Sequence, residues 1–185
     1  MLPRHLQRAL QVLDTGGVIA YPTEAVWGLG CDPFDPIAVE RILWMKKRPV
    51  EKGLIVVAGS ITQVAALVAP LTSQQKMLLQ ETWPGPTTWL LPDTDQCFPA
   101  WVRGNFSSVA VRVSAHPLVR KLCLAYGSPL ISTSANPSTL PPARSRIRVE
   151  TWFGRKVDYV LPGCLGSNPK PSTIRDIMSG IAIRA

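Results

Sequence analysis

Two short polar clusters carry the residue types from which an anion site is built. Lys46-Lys47-Arg48-Pro49 sets consecutive cations ahead of a proline, with Lys52 close behind, and Ser132-Thr133-Ser134-Ala135-Asn136 sets short hydrogen-bonding side chains directly after an apolar stretch. Phosphate is held by Arg and Lys charge together with hydroxyl and backbone donors, so the pair reads first as two half-sites of a nucleotide or phosphate pocket. A ligand-free account stays open for each. Cations in the last turn of a helix are favoured by its dipole alone, and Ser, Thr and Asn side chains make turns with their own backbone.

Four further residues stand out. Arg112 interrupts the apolar run Val109-Ala110-Val111-Arg112-Val113; it either faces solvent on the polar side of the alternation or faces a cleft, where its fork suits a carboxylate. Thr23 and Glu24 open a glycine-bearing loop, residues 23 to 30, able to close over a ligand or simply to turn the chain. His116, ahead of Pro117, reads as a helix-entry residue without an acid or nucleophile beside it. No G-x-G-x-x-G and no G-x-x-x-x-G-K-[ST] occurs, so any ATP site is not a P-loop.

Composition narrows the class. With 185 residues, 46% hydrophobic and 17% charged, the chain suits one compact domain over 1–185. Its 18 prolines are dispersed at element ends, which predicts many short loops and no linker. Cys31, Cys97, Cys123 and Cys164 lie far apart with no C-x-x-C, so neither zinc nor a redox pair is expected and no residue is assigned to a metal. Without a secretory pattern or a membrane-length apolar run, a cytoplasmic protein with reduced thiols and no membrane contact is expected. The net charge of +8 is lopsided: residues 1–95 hold 8 Lys/Arg against 9 Asp/Glu, and 96–185 hold 12 against 3. That excess points to an anionic partner, a nucleotide or a nucleic acid. A non-enzymatic RNA-binding module is therefore the rival class, although the six tryptophans are scattered and not interleaved with basic residues.

The elements that must position these residues alternate. Leu6, Leu10 and Leu13 predict a helix closed by Gly16-Gly17, and Val18–Tyr21 a strand ended by Pro22. Asp35 and Pro36 cap and start a helix through Ile37–Met45 that ends in the cationic cluster. Strands are predicted at Leu54–Ala58, Thr87–Leu91, Val109–Val113 and Pro129–Ile131, with later ones at 159–161, 173–175 and 181–183. Helices are predicted from Ser60 to Val68, Ser73 to Thr82, Pro117 to Tyr126 and Ser145 to Phe153. The result is an α/β fold, an open, twisted, mixed sheet with helices packed around it.

Six blocks, taken in order, resemble one family. Tyr21-Pro22-Thr23-Glu24-Ala25-Val26-Trp27-Gly28-Leu29-Gly30, Lys46-Lys47-Arg48-Pro49 with Lys52-Gly53-Leu54, Trp83-Pro84-Gly85-Pro86-Thr87, Ala110-Val111-Arg112-Val113, Ser132 to Asn136 and Pro171-Ser172-Thr173-Ile174-Arg175-Asp176 look like the successive signatures of the YrdC/TsaC family, the threonylcarbamoyl-AMP synthases of tRNA modification. The length resembles the short bacterial form. The resemblance implies a cytoplasmic enzyme that joins L-threonine, bicarbonate and ATP into threonylcarbamoyl-adenylate and releases pyrophosphate. A separate transferase complex then uses the product on adenosine-37 of tRNA. It implies a YrdC-like fold with a concave, positively charged face.

The family's K-x-R and S-x-N motifs fall on Lys46, Arg48, Ser134 and Asn136. On this scheme Lys46 and Arg48 are catalytic and, with Lys52, hold the triphosphate, with Mg²⁺ as an optional bridge between phosphate oxygens. Ser132, Ser134 and Asn136 hold phosphate or ribose hydroxyls. Thr23 and Arg112 hold threonine's hydroxyl and carboxylate end. Ser138-Thr139 replaces a Ser-Gly step usual in the family, and Arg144, Arg146 and Arg148 form either a weak tRNA contact or a solvated face.

Overall fold

The computed structural model describes residues 2–167 and 172–184; Pro171, which opens the last block above, lies outside them. Helix α1 (Arg4–Asp14) buries Leu6, Ala9, Val12 and Leu13 along one stripe, and Gly16 turns the chain out of it at φ 72°. Strands β1 (Ile19–Pro22) and β2 (Trp27–Gly30) follow, both buried throughout. In α2 (Pro36–Lys46) the Asp35 carboxylate accepts from the amides of Ile37 (2.9 Å) and Ala38 (3.0 Å), the expected cap, and Pro36 occupies the first turn. Lys47 stops the helix in the left-handed region at φ 51°. Its amide bonds Trp44 O and that of Arg48 bonds Leu43 O, a closing turn that throws Arg48 off the helix axis.

Strand β3 (Ile55–Ala58) is succeeded by a 3₁₀ turn at Ile61–Val64, a one-turn helix α3 (Ala65–Val68), α4 (Ser73–Thr82) and β4 (Thr87–Pro92). The single helix expected from Ser60 to Val68 is thus broken in two. Ser60 does not cap it, because its hydroxyl pairs with Thr62 Oγ1 at 2.6 Å. The remaining elements are α5 (Ala100–Arg103), β5 (Ser108–Val113), α6 (Pro117–Tyr126), β6 (Leu130–Ile131), β7 (Thr133–Ser134), α7 (Arg146–Phe153), β8 (Tyr159–Val160), β9 (Thr173–Asp176) and β10 (Ala182–Arg184).

The expected mixed α/β architecture is present, with its strands shared between two mixed sheets. One has the order β7-β2-β1-β8 and the other β10-β9-β4-β5-β3-β6. The segment 130–134 belongs to both: Leu130 and Ile131 pair with β3, and Thr133 and Ser134 pair with β2. At the changeover the Ile131 amide bonds Cys31 O (2.9 Å) and the Ser132 amide bonds Ile55 O (2.8 Å), so Ser132 sits where the sheets meet.

Alternation along the large sheet separates core from site. Val56, Trp89, Val109 and Val111 enter the core shared with Ile42, Leu79 and Phe153. On the opposite face Val57 and Leu130 pack with Leu6, Leu13, Val119 and Leu122 beneath α1 and α6, but Ile55, Leu90, Ala110 and Arg112 open onto a cavity. Arg112 therefore faces a cleft and not solvent.

Candidate active site

The cavity, of about 410 Å³, lies between the two sheets. Its large-sheet side is lined by Ser108, Ala110 and Arg112 of β5, Ile55, Leu90, Ile174, Ile183 and Arg184. The facing side is lined by Thr23, Val26, Trp27, Gly28 and Ser132 to Ser134, and one end is formed by Arg48, Lys52 and Gly53. Six of the eight predicted site residues, Thr23, Arg48, Lys52, Arg112, Ser132 and Ser134, thus line one hollow; Lys46 and Asn136 do not.

Arg48 is held by the turn that follows it. Its Nε and Nη2 donate to Gly53 O at 3.1 and 2.8 Å, and Nη2 also donates to Lys52 O at 3.1 Å. Gly53 adopts φ 58° and ψ 174°, a backbone region that is essentially glycine's, and a Cβ there would stand 2.7 Å from Arg103 O. Sequence dictates geometry directly here: only glycine lets the turn pass α5 closely enough to present its carbonyl to Arg48. Burial holds the Arg48 guanidinium below its ordinary pKa, although an arginine stays charged regardless.

Lys46 and Asn136 meet behind the wall. Lys46, 3% exposed, directs Nζ to the Ser134 carbonyl, to Asn136 O (2.9 Å) and to Asn136 Oδ1 (3.3 Å). The Asn136 carboxamide in turn accepts from Ser134 Oγ at 2.6 Å and donates to the carbonyls of Pro137 and Leu140. Ser138, at the Ser-Gly departure, donates to Lys46 O at 2.6 Å. The two sequence clusters are therefore joined, but through protein–protein bonds. Lys46 and Asn136, expected at the phosphates, here make bonds that shape the loop carrying Ser132 and Ser134. Burial, with the Arg48 charge adding to it, pushes the Lys46 ammonium down to about 8.

At the other end Thr23 Oγ1 donates to Val26 O at 2.7 Å, closing the turn that brings Glu24 inward. The Glu24 carboxylate receives Ser114 Oγ (2.7 Å) and the Ala115 amide (3.2 Å) on Oε1, and its Oε2 lies 3.1 Å from Arg112 Nη2. Burial raises the Glu24 carboxyl, but the Arg112 charge and the Ser114 bond outweigh it and leave it below the usual range. His116 Nε2 lies 3.1 Å from Cys164 O, and its ring is not among the lining residues.

Several lining residues escape motif reading. Arg184 donates to Ser172 O at 2.8 Å, and Arg103 donates to Phe98 O at 3.0 Å while pairing with Asp93 at 3.6 Å. Arg184 had a usable signal, a cation closing an apolar run, as at Arg112. Ser172 falls within the last of the six blocks, without a role assigned to it there; Arg103, at the end of α5, and Ser108, at the start of β5, had no signal. Among the described residues the lining holds Arg48, Lys52, Arg103, Arg112 and Arg184 and no carboxylate. Among the described residues no group of His, Cys, Asp or Glu is arranged to hold a metal ion, and no helix is long and apolar enough to cross a membrane.

Known proteins resemble this chain over nearly its whole length. The model of the Sua5, YciO and YrdC proteins, described as Telomere recombination, matches residues 11–184. The chain is 55% identical over 184 residues to the threonylcarbamoyl-AMP synthase of Marinobacter nauticus, covering 98% of this chain and 97% of that protein. It is 56% identical over 178 residues to the synthase of the same name from Pseudomonas paraeruginosa, covering 96% and 95%. Among solved structures, P. abyssi Sua5 complexed with L-threonine superposes with a TM-score of 0.86 at 33% identity over 92% of this chain, which spans only 50% of that longer protein. E. coli YciO, at 24% identity and a TM-score of 0.83 over 99% of this chain and 90% of that one, shares the fold.

Proposed function

The chain belongs to the Sua5/YciO/YrdC family, and from that premise we propose that it joins L-threonine, bicarbonate and ATP into threonylcarbamoyl-adenylate with release of pyrophosphate. The observation that carries the reading is a cavity lined, among the described residues, by five cations and no carboxylate, with apolar walls. Threonine's amine takes up bicarbonate to give a carbamate and water. A carbamate oxygen then attacks the α-phosphorus, and the bond to the bridging oxygen breaks so that pyrophosphate leaves with its electron pair. Both reactants are anionic, and the barrier is lowered by fixed positive charge that holds them in line.

Arg48 and Lys52 hold the triphosphate at one end in this scheme, and Ser132 and Ser134 offer hydroxyls to phosphate or ribose. Arg112 takes threonine's carboxylate and Thr23 its hydroxyl. Lys46 and Asn136 position the serine loop. Mg²⁺, were it to accompany ATP, would depend on the nucleotide's own phosphate oxygens for its charge-bearing ligands, because no carboxylate among the described residues lines the cavity. The product is consumed by a separate transferase that modifies adenosine in tRNA, in the cytoplasm.

Incubation with ATP, bicarbonate and single amino acids, read by pyrophosphate release and the mass of the nucleotide product, tests the assignment. Threonine-dependent formation of the carbamoyl-adenylate is expected. Pyrophosphate release indifferent to threonine, or RNA binding without turnover, overturns it.

A further inference from the structure

We propose that Glu24 is the positioning residue of the amino-acid end of the cavity: its carboxylate fixes the Arg112 guanidinium and makes that end accept a zwitterion and reject a second polyanion. The inference rests on the functional reading above and adds to it the source of discrimination between the two ends of one cationic hollow.

Glu24 is anchored independently of Arg112. Ser114 Oγ and the Ala115 amide both donate to Oε1, which ties the carboxylate to the junction of β5 and α6. Oε2 is left to face Arg112 Nη2 at 3.1 Å, near enough for an ion pair but outside hydrogen-bond geometry, and among the described residues it has no hydrogen-bond partner. Arg112 Nε is likewise buried and without a hydrogen-bond partner among the described residues. Unmade bonds at buried charged groups are costly, and a bound ligand that completes them recovers that cost. Arg112 lines the cavity and Glu24 does not, so Glu24 acts through Arg112.

The ends differ in how their cations are paired. No carboxylate forms an ion pair with Arg48 or Lys52 among the described residues, and their end stays positive. Arg112 carries a buried counter-charge at contact distance, which Arg48 and Lys52 lack, and Glu24 thereby offsets one of the two arginines, Arg112 and Arg184, that feel each other's charge here. A triphosphate is drawn to the first end and repelled from the second by the Glu24 charge. An amino acid, with carboxylate and ammonium on adjacent carbons, suits a site where cation and anion are adjacent too.

Glu24→Gln preserves shape and removes the charge. Nucleotide product is measured by chromatography, with inorganic tripolyphosphate as the polyanionic probe. In the wild-type protein tripolyphosphate competes with ATP and not with threonine. In Glu24→Gln the threonine KM rises about ten- to a hundredfold, the range for losing one charged partner, and the ATP KM stays within about threefold. Tripolyphosphate then becomes competitive with threonine, a change that loosened packing would not produce. An unchanged threonine KM, or equal rises in both KM values, overturns the proposal. Should Glu24→Gln not fold, Ser114→Ala removes one anchor and keeps the charge, and its expected outcome is a several-fold rise in threonine KM alone; a threonine KM equal to the wild type in that variant also overturns it. Wild-type turnover indifferent to threonine would instead defeat the functional reading itself.

Discussion

Replacing Lys46 by Met separates positioning from direct catalysis, because the structure predicts a small cost in stability beside a large one in rate. Methionine fills the space of the buried lysine stem. Of the three acceptors that Nζ serves, two keep a partner: Ser134 O still receives the Asn136 amide at 2.9 Å, and Asn136 Oδ1 still receives Ser134 Oγ at 2.6 Å. Only the Asn136 carbonyl loses the bond the structure gives it. One orphaned buried carbonyl costs about 1–3 kcal/mol. Part of that is returned, because the ammonium that disappears is itself penalised by burial. A net loss of about 1–2 kcal/mol in a chain of this size lowers Tm by about 2–8 °C. The loop from Ser132 to Asn136 is meanwhile untethered on its inner side, and turnover falls about a hundredfold, as for one misplaced preorganised donor. Calorimetry gives the first number and steady-state product formation the second. A folded Lys46→Met protein within about threefold of wild-type turnover would show that the tether does not set the geometry of the serine loop.

Arg48→Ala is expected to lower turnover by about a hundred- to a thousandfold, with folding checked by circular dichroism; near-normal turnover removes Arg48 from the reaction. Gly53→Ala forces a side chain into a glycine-only backbone region and against Arg103 O, at a cost of about 2–4 kcal/mol and a Tm lowered by about 4–16 °C in a thermal melt. Stability should also fall as pH is lowered through the carboxylate range. Folded Glu24 binds its proton less tightly than the unfolded chain does, so its contribution is present above the unfolded carboxyl pKa and is lost as pH falls through the lower, folded value. Melts along that range should show a shallower acid decline in Glu24→Gln.

Local signals carried the helices well and the pairing poorly. Asp35, Pro36 and the cations before Pro49 bound α2 almost to the residue because capping is a property of adjacent positions. Strand β2 reads as a loop because Gly28 and Gly30 blank the alternation; they are there because a Cβ on Gly30 would meet Ile131 O at 2.5 Å. The two-residue strand Thr133–Ser134 hides in a hydroxyl-rich stretch that looks like a turn. Which strand lies beside which depends on partners far along the chain, so the division into two sheets and the arrival of Arg103 and Ser108 at the cavity had no local trace. Residue type picked out Thr23, Arg48, Lys52, Arg112, Ser132 and Ser134, which line one hollow, but not the turn of Lys46 behind its wall. A cation at a helix end looks the same whether it reaches outward to a ligand or inward to carbonyls.

The segment 130–134, committed to β3 at its start and to β2 at its finish, has no freedom to slide. Moving it by a single residue would turn every side chain to the opposite face and take both serines out of the hollow. An inserted or deleted residue within this stretch is therefore expected to dismantle the pocket. The geometry of the site is guarded by the indivisibility of five residues as much as by their identity.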